Sequence, residues 1–517
     1  MYGFRITRGR LSAIDPCESV NRTVLMTKRI KYTLSLIYCF AIYTVSAQSV
    51  KKATWQDQVE VGGWASTGQV MPFWLRANQY GTVPLTTPSG TLRVGFWRPY
   101  TQLDTTKAVR PRRFDWSVGV QAVGNSASES QLLLPEAYGK VRWKSIELAV
   151  GRWRQLTGLG DSTLSSGFIN GSGNALPIPK VQLATMGYVP IGFTKRFVAI
   201  NAGYVHGWFT GAYIQGSYLH QKYVYLRLGK PASRFKVYAG INHEVQWGGQ
   251  ADYLKGTSVA IDGKLPSQFK YYHNVVLGTR PDYWQTSDYS SFDGAYWFGN
   301  GLGSQDFGVE MATQNGTWLL YHQHIYEDLS GLLWYNAPDG LTGLSWHRKP
   351  SAPSGWLNRV VVEYLSTMDQ SGPTFDLPNN SKYQGNDNYF NHGQYIEGWT
   401  YLGLTIGTPF LMPQNEVRPN ARGPQFFPNN RVQMVYLGAN GQVGNLLSWT
   451  FRLSYSQNYG TFSVPYPMSY GQLSALAGVQ WQLPQMAGTQ LTASLAMDQG
   501  QLLPNTVGGF VGLRKRW

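Results

Sequence analysis

The chain offers few side chains spaced for making and breaking bonds. The stretch "HQHIYED" (His322 to Asp328) sets two imidazoles two residues apart, on one face of a strand, just ahead of two carboxylates. No third ligand at a suitable spacing accompanies them, so histidines lining the polar lumen of a barrel are the better reading, and no metal is expected. Hydrolysis would need a Ser/His/Asp set or two opposed carboxylates. Asp161, Glu327, Asp328, Asp339 and Asp387 are available, but 28 acidic residues in 517 supply pairs by chance. A Gly-x-Ser-x-Gly elbow in a strand-to-helix setting is absent. "GSGNA" (Gly171 to Ala175) resembles a phosphate cradle, yet no Lys-Ser or Lys-Thr follows, and Pro177 and Pro179 favour extended backbone over a helix start. Nucleotide binding is rejected, no cofactor is expected, and the chain reads as non-enzymatic.

What remains is chemistry of recognition. "RPDYWQTSDYSSFDGAYWFGN" (Arg280 to Asn300) and "NDNYFNHGQYIEGWTY" (Asn386 to Tyr401) mix aromatic rings with amides, hydroxyls and carboxyls. Sugar rings present C-H faces that stack on Trp and Tyr, and hydroxyl rims that bond Asn, Gln and Asp. Tyr283, Trp284, Tyr389, Phe390 and Trp399 are the expected stacking groups. Arg152, Arg154 and Lys180 bracket the run "LSSGFINGSGNALPIPK" (Leu164 to Lys180) and could meet acidic sugars. Asp161 and Asn174 complete the expected polysaccharide-binding set. The competing reading of the aromatics is loop packing or an interfacial belt.

The elements that must carry these residues are strands. Phe114, Trp116, Val118 and Val120 alternate with polar or small residues; so do Phe235, Val237, Ala239, Ile241, His243, Val245 and Trp247, Trp449 to Tyr455, Leu473 to Trp481, and Leu491 to Met497. The polar positions hold Ser, Thr, Gln, Asn, Arg and Gly, as a wet lumen would, and the chain ends on "VGGFVGLRKRW". Such an ending resembles the final-strand signal of outer-membrane barrels. Residues 26–47 have a basic start, an apolar run and small residues before Gln48, and read as a secretory signal peptide. Residues 1–25 read as a mis-assigned extension, with translation starting at Met26, and 48–517 as a single barrel domain. Cys17 and Cys39 both precede the expected cleavage point, which leaves a mature chain without thiols or disulfides. The formal charge is +16, and removing the seven basic and two acidic residues of 1–47 leaves about +11. In an exported protein this points to anionic lipid or an acidic polymer rather than nucleic acid.

The expectation is therefore all-β: a transmembrane antiparallel β-barrel of the outer membrane with about 18 strands, exposing loops at the cell surface. Long polar segments at about 156–180, 248–292, 368–394 and 409–430 should be outside or folded into the lumen, because periplasmic turns are short.

"GLGDSTLSSGFINGSGNALPIPKVQL" (Gly158 to Leu183) resembles the hallmark segment of the Wzi-type capsule assembly family. "YHQHIYEDLSGLLWYNAPDGLTGLSW" (Tyr321 to Trp346), "DNYFNHGQYIEGWTYLGLTIGTPF" (Asp387 to Phe410) and "NNRVQMVYLG" (Asn429 to Gly438) are similar to the form of that family found in Bacteroidetes. The resemblance implies an 18-stranded barrel with a largely obstructed lumen, and a lectin-like role in holding capsular or exopolysaccharide at the cell surface. The characterised enterobacterial type carries a periplasmic helical plug, and no amphipathic helical bundle is evident in this sequence. The other expected partners are outer-membrane lipids and, during insertion, the barrel assembly machinery; the protein is expected to be a monomer. A porin or substrate-specific channel is the alternative, and an outer-membrane hydrolase a third.

Overall fold

A computed structural model describes residues 55–101, 114–128, 130–352, 355–374 and 385–517. The expected extension and signal peptide lie outside the described residues. Eighteen strands form the wall: β1 (Gln56–Ser66), β2 (Ser89–Arg98), β3 (Phe114–Ser126), β4 (Gln131–Trp143), β5 (Ile146–Arg152), β6 (Lys180–Thr185), β7 (Val198–Trp208), β8 (Tyr218–Leu228) and β9 (Phe235–Trp247). They continue as β10 (Asn300–Ala312), β11 (Gly316–Tyr326), β12 (Gly340–Arg348), β13 (Leu357–Ser366), β14 (Val432–Val443), β15 (Leu447–Gly460), β16 (Pro465–Gln482), β17 (Thr489–Gly500) and β18 (Thr506–Arg516). Each pairs antiparallel with its sequence neighbours, and a two-residue strand, Val189–Pro190, adds to β7. β1 pairs with β2 on one side and β18 on the other, Gln58 opposite Arg516 through Ser66 opposite Gly508, so the sheet closes and leaves no edge.

Period-2 alternation sorts the residues as the bilayer requires. Val61 on β1, Leu495 on β17 and Val511 on β18 are 56%, 60% and 60% exposed on the outer face, far more than apolar side chains in an aqueous wall would be. The inner face buries Gln58, Glu60, Thr91, Ser117, Gln121, Gln182, Ser454 and Ser474. The expected alternation in β3, β15, β16, β17 and β18 holds; in β9 it holds from Phe235 to Ile241, while 242–247 are buried on both faces, and the strand number is the one expected.

The phase in β11 corrects one expectation. Trp318 and Leu320 are exposed on the outer wall, and His322 and His324 share their parity, while Tyr321 and Gln323 point inward. The two histidines therefore stand outside the barrel, where Trp334 stacks on His324 with ring centroids 4.0 Å apart. Loops fold over the outer wall here, so polar residues on that face are shielded by protein.

Turns such as 144–145, 313–315 and 444–446 share one end with both chain ends of the barrel; the segments 67–88, 153–179, 248–299 and 367–431 emerge at the other. Three of these long segments fold inward and fill the lumen. A short helix, α1 (Phe73–Arg76), brings Phe73 and Trp74 to Phe410 and Tyr436 in a core that also holds Leu164, Ile169, Leu341, Val361, Leu411 and Met434. Among the described residues the longest helix, α2 (Tyr272–Leu277), has six residues, so the filling is irregular chain rather than a helical bundle.

The hallmark segment is the centre of this plug, and wall side chains hold its backbone. Asp306 accepts from Leu159 N at 2.8 Å, Glu363 from Ser166 N at 2.6 Å, and Gln323 from Ile169 N at 2.9 Å. Tyr436 donates to Leu164 O at 2.6 Å, and Arg452 to Ser165 O at 3.3 Å. A non-helical chain inside a barrel carries unpaired amides unless the wall supplies partners, and the inward carboxyl and amide side chains do so. Gly167 sits at φ 134°, and a Cβ there would lie 2.4 Å from Pro409, which explains a glycine at the centre of the segment.

Candidate functional site

Above the plug, at the long-loop end, two loops distant in sequence converge on one cleft of about 970 Å³. One wall comes from the segment after α2 and from α3 (Ser291–Ala295), with Arg280, Trp284, Phe292 and Trp297; the other comes from Asn386, Asp387, Asn388, Asn391 and His392, with Gln425 and Phe426 at the rim. Glu327 and Asp328, which follow β11, lie at its base. These are the two aromatic and amide-rich stretches singled out from sequence, and the fold brings them together.

The local structure explains the placement. Ser290 and Asp293 cap α3 reciprocally, fixing the chain that presents Phe292. Asp328 caps α4 (Leu329–Leu332), accepting from Ser330 N at 2.7 Å. Phe390 adopts φ 70°, its N-H donates to Glu327 Oε1 at 2.8 Å and its carbonyl accepts from Trp399 N at 2.8 Å, so the 386–401 loop doubles back. Asn391 spans to the 409–430 segment, donating to Phe427 O at 2.9 Å and accepting from Phe427 N at 3.0 Å. Beneath, Asp339 gathers Met368 N, Gln370 N and the Tyr389 hydroxyl at 2.8, 2.9 and 3.1 Å.

Burial and crowding raise two carboxyls in this region, Glu327 and Asp387. Glu327 is pushed well above the usual carboxylate range by burial, with Asp387 and Asp328 adding repulsion. Asp387 is also raised, chiefly by burial and then by Asp328, against hydrogen bonds from Ser371 and Ser330 that favour its charged form. Burial lowers His392 to about 4, and its Nδ1 accepts from Gln394 N at 3.1 Å, so the ring stands neutral with its proton on Nε2. The cleft thus presents aromatic faces, amides, carboxyls able to donate as well as accept, and one guanidinium.

The expected site residues divide sharply. Trp284, 63% exposed, lines the cleft, and Tyr283 beside it is 70% exposed without being one of the lining residues. Tyr389, Phe390 and Trp399 correct the expectation: all three are buried in the plug core, their faces taken by neighbours such as Phe427, 5.6 Å from the Phe390 ring. They hold the cleft floor instead of stacking on a ligand. Asp161 is buried, pairs with Arg359 and accepts from Thr163 N and Leu164 N; Asn174 is buried, accepting from Asn78 N at 3.2 Å and donating to Thr405 O at 3.2 Å. Both are plug fasteners. Arg152, Arg154 and Lys180 lie away from the cleft, bound to the Tyr401 hydroxyl, Gln121 and Gln155 respectively, with Lys180 also 4.7 Å from the Trp153 ring centroid. Sequence reasoning placed Arg280, Trp297, Asn388, Asn391 and His392 inside the right stretches without naming them, and missed Gln425 and Phe426. Their only sequence signal was membership of an aromatic and amide-rich loop.

Comparison with known proteins follows the same line. A family described as "Capsule assembly protein Wzi" matches residues 98–501. No curated protein matches the chain by sequence. Among solved structures, Wzi of Escherichia coli, described as an outer membrane protein involved in group 1 capsule assembly and a carbohydrate-binding β-barrel, aligns with a TM-score of 0.51 at 16% identity, covering 88% of this chain and 83% of that one. OccK5 of Pseudomonas aeruginosa (TM-score 0.43, 10% identity, 89% and 97% covered) and OccAB2 of Acinetobacter baumannii (0.43, 8%, 90% and 97%) align more loosely.

Proposed function

The chain belongs to the Wzi capsule assembly family, and from that premise we propose that it is a non-enzymatic outer-membrane barrel that binds capsular or exopolysaccharide at the cell surface and supports its attachment. The observation that carries this reading is the convergence of Arg280–Asn300 and Asn386–Tyr401 on one cleft above a filled lumen. A plugged barrel with a ligand-sized cleft at its long-loop end is suited to holding a polymer, and poorly suited to conducting one.

The long-loop end faces outward in this reading, because short turns face the periplasm in bacterial barrels. Trp284, Phe292 and Trp297 offer apolar faces to sugar rings, while Asn388, Asn391, His392 and Gln425 offer hydrogen bonds to hydroxyls. The cleft is lined by carboxyls as well as by Arg280, and the cations bracketing the hallmark segment lie elsewhere. Hydroxyl recognition and stacking, rather than a basic patch, are therefore its means of binding. Deleting the gene should release polymer into the medium without stopping its synthesis, and complementation with the Trp284→Ala, Trp297→Ala double variant should fail to restore attachment. A deletion strain that kept its capsule bound normally would defeat the proposal.

A further inference from the structure

A second, separate depression of about 480 Å³ lies on the outside of the barrel, across β6 to β9. Its lower part is apolar and faces the membrane: Val224 and Ile241 are 43% and 40% exposed, the small Ala202 opposite Val224 makes the hollow, and Leu183, 53% exposed, stands opposite Tyr204 at its side. Above them, one row crosses three adjacent strands. Tyr204 on β7 pairs with Lys222 on β8, which pairs with His243 on β9. Leu277 at the end of α2 and Trp297 overhang this row from the loop 248–299, which is fastened to the outer wall through Tyr272, whose hydroxyl lies 2.9 Å from that of Tyr204 and 3.2 Å from His220 Nδ1.

Two features of the row call for an anion. Lys222 carries no hydrogen bond or ion pair among the described residues, although it points from the wall toward lipid. A lysine on the lipid face of a barrel is costly unless it reaches the interface or meets an opposite charge. His243 is only 5% exposed, lines the same depression, and has both ring nitrogens without a partner. An ammonium and an unpartnered imidazole beside each other, at the top of an apolar channel that runs down the membrane-facing wall, match a phosphate attached to acyl chains.

We infer that the groove across β6 to β9 holds one phosphorylated glycolipid of the outer leaflet, its phosphate on Lys222 and His243 and an acyl chain along Leu183, Ala202, Val224 and Ile241. The row lies four residues from the long-loop ends of β8 and β9, so the leaflet assignment rests on the orientation proposed above. The occupant shares that leaflet with the polymer-binding cleft, and Trp297 lines both the cleft and the groove. The lipid therefore steadies one wall of the cleft from outside.

The test is native mass spectrometry of the full-length barrel in detergent, titrated with lipid A or with phosphatidylglycerol, for the wild type, Lys222→Gln and Ala202→Trp. Lys222→Gln removes the charge and Ala202→Trp fills the hollow without touching any plug contact. The wild type should retain one lipid A per barrel, each variant should lose affinity by at least about tenfold, and both should keep the wild-type shift between heated and unheated gel mobility. A wild type that retains no lipid A, variants that retain it equally, or equal retention of phosphatidylglycerol would each overturn the inference. Polymer pull-down on the same samples separates the two readings: lost polymer binding in a wild type that retains lipid A counts against the cleft alone.

Discussion

Glu363 is the wall residue whose loss should do most to loosen the hallmark segment. It is 1% exposed, and its carboxylate accepts from Ser166 N at 2.6 Å and from the Tyr321 hydroxyl at 2.5 Å. Hydrogen bonds to a charged group contribute ~1.5–3 kcal/mol each, and a buried donor left unpaired costs about as much again in desolvation. Glu363→Ala strands two buried donors, so the closed plug should lose at least ~3 kcal/mol relative to an opened one. That raises the population of transient plug openings by about two orders of magnitude. Other fasteners remain, including Asp306 to Leu159 N, Gln323 to Ile169 N and Tyr436 to Leu164 O, so the barrel should still fold. Hydrogen exchange across 159–170 should accelerate strongly, exchange in β15 to β18 should not, and planar-bilayer recordings should gain brief conducting bursts absent from the wild type. Glu363→Gln, which keeps one acceptor oxygen, should fall between. Unchanged exchange at Ser166 with a silent bilayer would refute the claim that wall carboxylates hold this segment in the lumen.

Replacing Ser165–Pro177 by a short Gly-Ser turn removes most of the segment's anchors, and should open steady conductance or abolish polymer retention. Trp284→Ala should weaken polysaccharide binding by ~10-fold through lost stacking, with an unchanged melting temperature, since the ring is mostly exposed. Phe390→Ala should act oppositely, lowering stability by ~3–5 kcal/mol as a fully buried ring is deleted, so that any loss of binding tracks the fall in melting temperature. The raised carboxyls Asp387 and Glu327 are neutral below their folded values and gain charge as pH rises through them, so retention of an acidic polymer should decline from neutral to alkaline pH. Asp387→Asn should flatten that decline. The same linkage lowers stability as pH rises from the ordinary carboxylate range up to the folded value of Asp387, about 8, and levels off above it, which thermal melts at fixed ionic strength will register.

The wall was legible from sequence because a bilayer imposes period-2 alternation, and each strand carries that pattern by itself. β18 shows this, with Val507, Val511 and Leu513 outward and Thr506, Gly508 and Phe510 inward. The phase failed where loops cover the outer wall: in β11 both Leu319 and Leu320 are apolar, and His322 and His324 look like lumen residues until Trp334 is seen stacked outside. The cleft was legible only as two stretches. Within 386–401, Tyr389, Phe390 and Trp399 are larger and more apolar than Asn388 or His392, which marks them equally well for core packing or for sugar stacking. What decides is the path of the chain. The φ of 70° at Phe390 and the Asp339 hub turn those rings inward, and both depend on contacts with residues about 60 positions away, such as Glu327. The fastening roles of Asp161 and Asn174 were hidden for the same reason, since their partners Arg359 and Thr405 are some 200 residues distant.

The account stands on the cleft binding polysaccharide, and the most direct measurement is titration calorimetry of the purified barrel with surface polysaccharide from the cells that make it. The wild type should bind with saturable heat, the Trp284→Ala, Trp297→Ala double variant should lose that heat while keeping the folded barrel's shift between heated and unheated gel mobility, and Arg152→Gln and Arg154→Gln should bind as the wild type does. Polymer binding that survives the double variant and vanishes with either arginine would contradict the account and move the site to the lumen.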